Sequence, residues 1–571
     1  MEEVKRIPYG VSNFVEVVEQ NQYYVDKTMY LPLLEKQPSN LFFTRPRRFG
    51  KSIFLSMLRT YYDIAQKEKF EKRFSNLWIG SRPTQLQGTF QILFLDFSRV
   101  GGLDRTLAEN FDDYCCGGLD DFASIYEPYY YPGFEEEMKA QYGTTNKLNF
   151  LDRKARNNGS KLYLIVDEYD NFTNVVLNEQ GDKVYHALTH ASGFYREIFK
   201  KFKGMFERIF MTGVSPVTLD DLTSGFNIGW NISTDHQFNM MLGFSETDVR
   251  EMIQYYKDAG QLPGNTNIEE MRPWYDNYCF AEESLERDPK MFNCDMVFYY
   301  LRHYMTLGKS PKEMIDPNTR TDYNKMKKLI RLDKLDGNRK GVLRKITEDG
   351  QIVTTLTTTF PATDITKPEI FPSLLFYYGM LTITATRGNY LVLSIPNNNV
   401  RKQYYEFLLE EYQDNRHINL NDLGLMYYEM AYDGHWRETL EFIAHAYKEN
   451  SSVRNAIEGE RNLQGFFTAY LSTNAYYLIA PEVELNHGYC DLFLMPDLIR
   501  YDVKHSYIIE LKYLSVKDSE AKAEAQWKEA VEQIKGYAAG PKVRRMIYDT
   551  ELHCIVMQFR GWELERMEEV R

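Results

Sequence analysis

Cysteine is scarce in this chain of 571 residues: there are six, only Cys115 and Cys116 are adjacent, and no CxxC occurs. Neither a disulfide framework nor a zinc site is supported by that spacing, and reduced thiols in the cytosol fit best. Long apolar segments are missing too. The opening MEEVKRIPYG has no apolar signal-peptide core. The uncharged run from Ile370 to Thr386 is interrupted by Pro372 and falls short of a membrane span. No repeat, low-complexity tract or long charge block is present. These absences lead to the expectation of a soluble, cytoplasmic protein with no membrane partner. Positive charge is also in deficit. A formal net charge of −13 argues against a whole surface built for nucleic acid, while leaving room for a local basic groove.

What is present describes a globular, multidomain chain. Hydrophobic residues make up 43% and charged residues 26%, the balance of a folded protein. Aromatic content reaches 15%, carried by 43 Tyr and 35 Phe, most of which should fill cores. The length exceeds what one hydrophobic core organises, so the chain should divide into two or three domains.

The stretch SYIIELKYL carries Glu510 and Lys512 two residues apart, so on a strand they share a face. Asp491 heads another apolar run, DLFLMP, and a neighbouring strand would set it beside them. Two carboxylates and an ammonium at one spot suit a divalent-metal phosphodiesterase: carboxylate oxygens hold Mg²⁺ or Mn²⁺, and the lysine orients water and steadies charge. A helix from about Ala521 to Tyr537 follows, with Gln533 and Tyr537 on one face. Another, ERNLQGFFTAYLST, precedes the strands and opens on Glu460. Helix, strands, ExK strand and a helix with QxxxY together resemble the PD-(D/E)XK nuclease superfamily, particularly its RecB-type branch. The resemblance implies that Asp491 and Glu510 are metal ligands, that Lys512 is catalytic, and that Gln533 and Tyr537 belong to an additional motif. Glu484 or Glu460 would supply a further acid.

The other end of the chain carries a second chemistry. In NLFFTRPRRFGKSIFLSMLRTYY an apolar strand runs through a basic turn into Gly50-Lys51-Ser52, which opens an amphipathic helix. Such a helix start binds phosphate through backbone N–H groups and its dipole. Lys51 would reach the β- and γ-phosphates, and Ser52 would join the Mg²⁺ shell. The first glycine of the usual loop is replaced by Arg45. Downstream, KLYLIVDEYDNF reads as a buried parallel strand ending in Asp167 and Glu168. Asp167 would hold Mg²⁺ through water, and Glu168 would polarise the attacking water. The strand RIFMTGVSPVTL would bring Thr212 to the γ-phosphate.

The lines IPYGVSNFVEV, YYVDKTMYLPLLEK, FFTRPRRFGKSIFLSML and LIVDEYDNF, with the later PWYDNYCF and MFNCDMV, resemble a bacterial family joining an AAA-ATPase-like domain to a C-terminal PD-(D/E)XK nuclease domain. In that family the Arg45 form of the loop is usual. The resemblance implies places near the nucleotide for Asp26 and Lys27. Arg47 and Arg48 add positive charge beside the phosphates. Arg208 is a candidate arginine finger, which acting across subunits would require a homo-oligomer.

The expected fold is therefore α/β: an AAA-like P-loop ATPase domain over 1–290, a lid or winged-helix-like module over 291–400, and a helical linker with the nuclease domain over 401–571. Within the middle module, Asn324 to Lys345 carries nine Lys or Arg against two Asp, a candidate nucleic-acid surface. EIFPSLLFYYGML reads as helix, and a hairpin turns at Gly388-Asn389. The expected activity is an ATP-dependent or ATP-regulated, Mg²⁺- or Mn²⁺-dependent nuclease acting on DNA. The alternative is a nucleotide-driven switch or scaffold whose nuclease-like domain only binds.

Overall fold

The computed structural model describes residues 3–100, 106–170, 194–216, 229–287, 290–317, 339–360, 364, 367–412, 420–449, 459–485 and 488–570. Most of the basic run from Asn324 to Lys345 lies outside these residues. The chain divides into two compact units: 1–309 with 314–340 and 351–397, and 310–313 with 341–350 and 398–571.

The first unit is built on five parallel strands: β1 (Asn40–Thr44), β2 (Gln91–Asp96), β3 (Leu162–Asp167), β4 (Arg208–Gly213) and β5 (Trp230–Asn231). Their order is β2-β3-β4-β1-β5. β1 and β3 are buried at every position, as expected of parallel strands covered on both faces. The Lys51–Tyr62 helix buries Phe54, Leu55, Met57, Leu58, Tyr61 and Tyr62, a stripe at helical spacing. β4 lies between β1 and β3, so the strand bearing Thr212 separates the phosphate loop from the acidic strand end. The same unit holds a small antiparallel sheet ordered β6-β8-β7, from β6 (Gln351–Thr354), β7 (Thr382–Arg387) and β8 (Tyr390–Ser394). β7 and β8 form a hairpin in which Arg387 faces Tyr390, with Gly388 in the left-handed region.

The second unit is a mixed sheet ordered β13-β12-β11-β10-β9, from β9 (Tyr477–Leu485), β10 (Gly488–Pro496), β11 (His505–Leu514), β12 (Glu551–Arg560) and β13 (Glu563–Glu569). β9, β10 and β11 are antiparallel neighbours, whereas β11 and β12 run parallel. A parallel pair needs a crossover, supplied here by the Glu520–Ala538 and Pro541–Ile547 helices. Alternation along β11 divides the core between the two faces. Ile509 and Leu511 pack with Phe466, Phe467 and Tyr470 of the Glu460–Leu471 helix. Ile508 packs with Trp527, Ile534 and Tyr537 of the crossover helix. No helix among the described residues is long and apolar enough to cross a membrane, and all six cysteines are free thiols.

Candidate functional site

The phosphate loop takes its shape from two left-handed residues, Arg48 (φ 66°) and Gly50 (φ 85°). Gly50 caps the Lys51–Tyr62 helix in that conformation, which glycine adopts without steric cost. The Lys51 ammonium is buried and donates to the carbonyls of Arg45 (3.0 Å) and Pro46 (3.1 Å). Ser52 Oγ donates to Asp167 Oδ2 at 2.6 Å, and Thr212 Oγ1 donates to Asp167 Oδ1 at 2.8 Å. A helix start and two strand ends thus converge on one carboxylate. Burial pushes the Asp167 carboxyl up, and the Ser52 hydroxyl bond opposes that shift. Glu168 follows with φ 51°, a strained backbone for a non-glycine residue and a frequent mark of functional sites.

Lys51, Ser52 and Glu168 face a cavity of about 270 Å³ whose walls also include Tyr23, Tyr24, Lys27, Arg47, Arg48, Met241 and Phe298. A polar end at a helix start and an apolar remainder suit a phosphorylated, aromatic ligand. Lys27 reaches the cavity and pairs with Asp248 at 2.8 Å. Asp26 instead accepts from Thr28 N–H and Oγ1 and from Trp78 N–H, a structural cap. Arg208 sits at the start of β4, remote from the loop at the strand ends, and donates to Leu34 O. Within its own chain it is not brought to the cavity.

Arg45 is a load on the fold rather than a phosphate contact. Its guanidinium is fully buried and donates to Thr44 O (2.9 Å), Ser233 O (2.6 Å) and Phe238 O (2.9 Å). It lies between the rings of Phe43 and Phe280, 4.2 Å from each centroid, and burial pulls its pKa down to about 9. The side chain fastens the root of the loop to segments nearly two hundred residues away. Restoring the usual glycine with Arg45→Gly should lower stability by about 3 kcal/mol or more, through lost packing and three stranded carbonyls, measurable by chemical denaturation.

The later motif blocks serve the same loop. Phe280 of PWYDNYCF stacks on Arg45, and Tyr278 and Phe280 pack edge-on against Phe49. From MFNCDMV, Asn293 donates to Arg47 O, and Asp295 meets Arg48 at 3.5 Å. One residue missed in the sequence is Asp170. Fully buried, it accepts from the N–H groups of Val214 and Ser215 and so anchors the turn following Thr212. Gly213 permits this approach, since a Cβ there would lie 2.3 Å from Asp170 Oδ1.

In the second unit, β10 and β11 bring Asp491, Glu510 and Lys512 together. Asp491 Oδ2 accepts from Leu511 N–H at 2.7 Å, and Lys512 Nζ donates to Glu510 Oε1 at 2.8 Å. Glu460, at the start of its helix, lies 3.7 Å from the same ammonium. Burial, with the Glu510 charge second, pushes Asp491 up to about 7 against the pull of Lys512. Burial raises Glu510 as well. The two carboxylates raise Lys512 further and keep it protonated despite its burial. Among the described residues Glu510 Oε2 and Gln533 Oε1 are buried without a hydrogen-bond partner, which buried acceptors rarely tolerate. Tyr537 donates to Tyr489 O at 2.9 Å, two residues from Asp491, and the bare Gly488 backbone lets its ring approach. Glu484 lies on β9 opposite Tyr489, with its side chain outside the described residues. Gln464, not singled out in the sequence, donates to Asp491 O at 2.9 Å and ties β10 to the Glu460–Leu471 helix.

This donor set fits a hard divalent cation. The buried Glu510 and half-buried Asp491 carboxylates repel one another, one Glu510 oxygen has no donor among the described residues, and oxygen ligands are those Mg²⁺ and Mn²⁺ prefer.

Comparison with known proteins agrees with both halves. Residues 8–223 match the family model described as Predicted AAA-ATPase, and residues 458–569 match that of the PD-(D/E)XK nuclease superfamily. The chain thus carries an AAA-ATPase-like domain followed by a domain of the PD-(D/E)XK nuclease superfamily. It is also 27% identical over 286 residues to an uncharacterized protein in the vnfD 5' region of Azotobacter chroococcum mcd 1, a match taking in 49% of this chain and 50% of that protein. The chain accordingly spans about half the length of that curated relative.

Proposed function

We propose that this protein is an ATP-regulated, metal-dependent nuclease that cuts phosphodiester bonds in DNA. The observation carrying this reading is the grouping of Asp491 and Lys512 around the buried Glu510 carboxylate, one of whose oxygens has no hydrogen-bond partner among the described residues. Asp491 and Glu510 would hold a divalent ion, whose Lewis acidity activates water and neutralises developing charge. Lys512, fixed against Glu510, presents its remaining N–H donors to the nucleophilic water or the scissile phosphate. Tyr537 and Gln464 hold the β10 backbone on which Asp491 sits.

In the N-terminal domain, Lys51 would leave the Arg45 and Pro46 carbonyls for the phosphates of ATP. Ser52 and Asp167 would share Mg²⁺, and Glu168 would orient water for hydrolysis. Thr212 bonds Asp167 and reports on the same carboxylate. ATP binding or turnover then governs access of DNA to the C-terminal site. The organisation proposed is an ATPase domain over 1–290, a middle module over 291–400, and a helical linker and nuclease domain over 401–571.

The test incubates purified protein with linear and closed circular DNA, and with RNA, in Mg²⁺ or Mn²⁺, with and without ATP. Cleavage of DNA that needs the metal and changes in rate with ATP is expected. ATP turnover with no cleavage of any substrate would overturn the nuclease reading and favour a nucleotide-driven switch. Cleavage of RNA alone would reassign the substrate.

A further inference from the structure

At the opposite end of β11 from the acids, two imidazoles meet. His505 opens β11, His553 lies on β12, and His505 Nδ1 is 2.9 Å from His553 Nε2. His553 Nδ1 lies 2.7 Å from Glu569 Oε1 on β13, and a carboxylate there makes that nitrogen the donor. His553 Nε2 then presents a lone pair toward His505 Nδ1, which meets it with a proton of its own or, in the other tautomer, with a second lone pair that a cation would join.

A third donor stands beside them. Glu551, the register partner of His505, brings Oε2 to 3.6 Å from His505 Nδ1. One ligand atom from each of the three residues fits within 4.8 Å of the others. The rings are nearly buried, at 15% and 10% exposure, whereas Glu551 is 71% exposed and opens the cluster to solvent. The fold makes room for it. Gly434 is left-handed, and a Cβ there would come within 3.0 Å of the His505 ring. The His553 ring stacks on Tyr507 with centroids 5.0 Å apart.

We propose that His505 Nδ1, His553 Nε2 and a Glu551 oxygen form a binding site for a divalent transition metal, with Zn²⁺ as the preferred ion. Two imidazoles and one carboxylate favour zinc over the hard ions that suit an all-oxygen set. Glu569 then plays the outer role that fixes the tautomer and orientation of the His553 ring. The site lies five residues along β11 from Glu510, about 17 Å at strand spacing, so it does not belong to the phosphodiester chemistry. It joins the starts of β11 and β12 and, through Glu569, reaches β13. Its role is to lock the parallel pair on which the acids are mounted.

The experiment uses metal-free full-length protein carrying Glu510→Gln and Asp167→Asn, so that neither oxygen site contributes appreciably. Zn²⁺ binding is measured by calorimetry and Co²⁺ binding by visible ligand-field bands. One equivalent should bind, Co²⁺ should give the intense bands of a low-coordinate nitrogen-oxygen site, and Zn²⁺ should raise the unfolding temperature. Adding His505→Ala or Glu551→Gln should weaken binding by at least about tenfold and remove the thermal shift. Glu551 is exposed, so Glu551→Gln keeps the fold even where a histidine variant does not. Equal Zn²⁺ affinity with and without Glu551→Gln, or no Co²⁺ bands, would overturn the assignment and leave a shared proton between the rings.

Discussion

Lys512→Ala is expected to reduce metal-dependent DNA cleavage by about 100- to 1000-fold, the loss typical of removing one charge-stabilising donor from a water-poor site. The side chain is only 12% exposed and is held on Glu510 at 2.8 Å. Its ammonium therefore offers fixed charge where the transferred phosphoryl oxygens gain charge, with little reorganisation. The same variant removes the cation nearest to the Asp491 and Glu510 carboxylates. Without metal it should be less stable than the parent protein, and Mn²⁺ should raise its unfolding temperature by more. Initial cleavage rates and thermal melts, with and without Mn²⁺, check both parts. Unchanged cleavage would place the lysine outside the chemistry.

Lys51→Ala is expected to lower ATP turnover by a similar factor, about 100- to 1000-fold, with weaker nucleotide binding. The ammonium donates to the Arg45 and Pro46 carbonyls, bonds that phosphate oxygens at the helix start would replace. Glu168→Gln separates the roles: it should leave nucleotide binding intact and stall hydrolysis. Steady-state phosphate release and fluorescent-nucleotide titration distinguish the two variants. If ATP alters cleavage through turnover, Glu168→Gln should fix cleavage at its ATP-bound rate.

Much of this was legible along the chain because local pattern carried it. Apolar runs ending in acids placed Asp167 and Glu168 at the end of β3, and two-residue alternation put Glu510 and Lys512 on one face. What stayed hidden depends on contacts between distant segments. Arg45 looked like a departure from a phosphate loop, because its carbonyl partners Ser233 and Phe238 lie 188 and 193 residues away. Asp170 sits in plain view in DEYDNF, yet only the fold shows it gripping the end of β4. Gln464 reads as one of several polar residues in an amphipathic helix, and its bond to Asp491 O appears only when that helix packs against β10. His505 and His553, 48 residues apart, meet because β11 and β12 start in register. Cysteine spacing gave no hint of that pair.

The account rests on Asp491 and Glu510 sharing one cation. Counting Mn²⁺ bound to full-length protein without nucleotide, carrying Asp167→Asn and Glu551→Gln to disable the N-terminal acid and the histidine-lined site, tests it most directly. One ion should bind, and adding either Asp491→Asn or Glu510→Gln should abolish that binding while the protein stays folded. Undiminished Mn²⁺ binding in both variants would contradict the account.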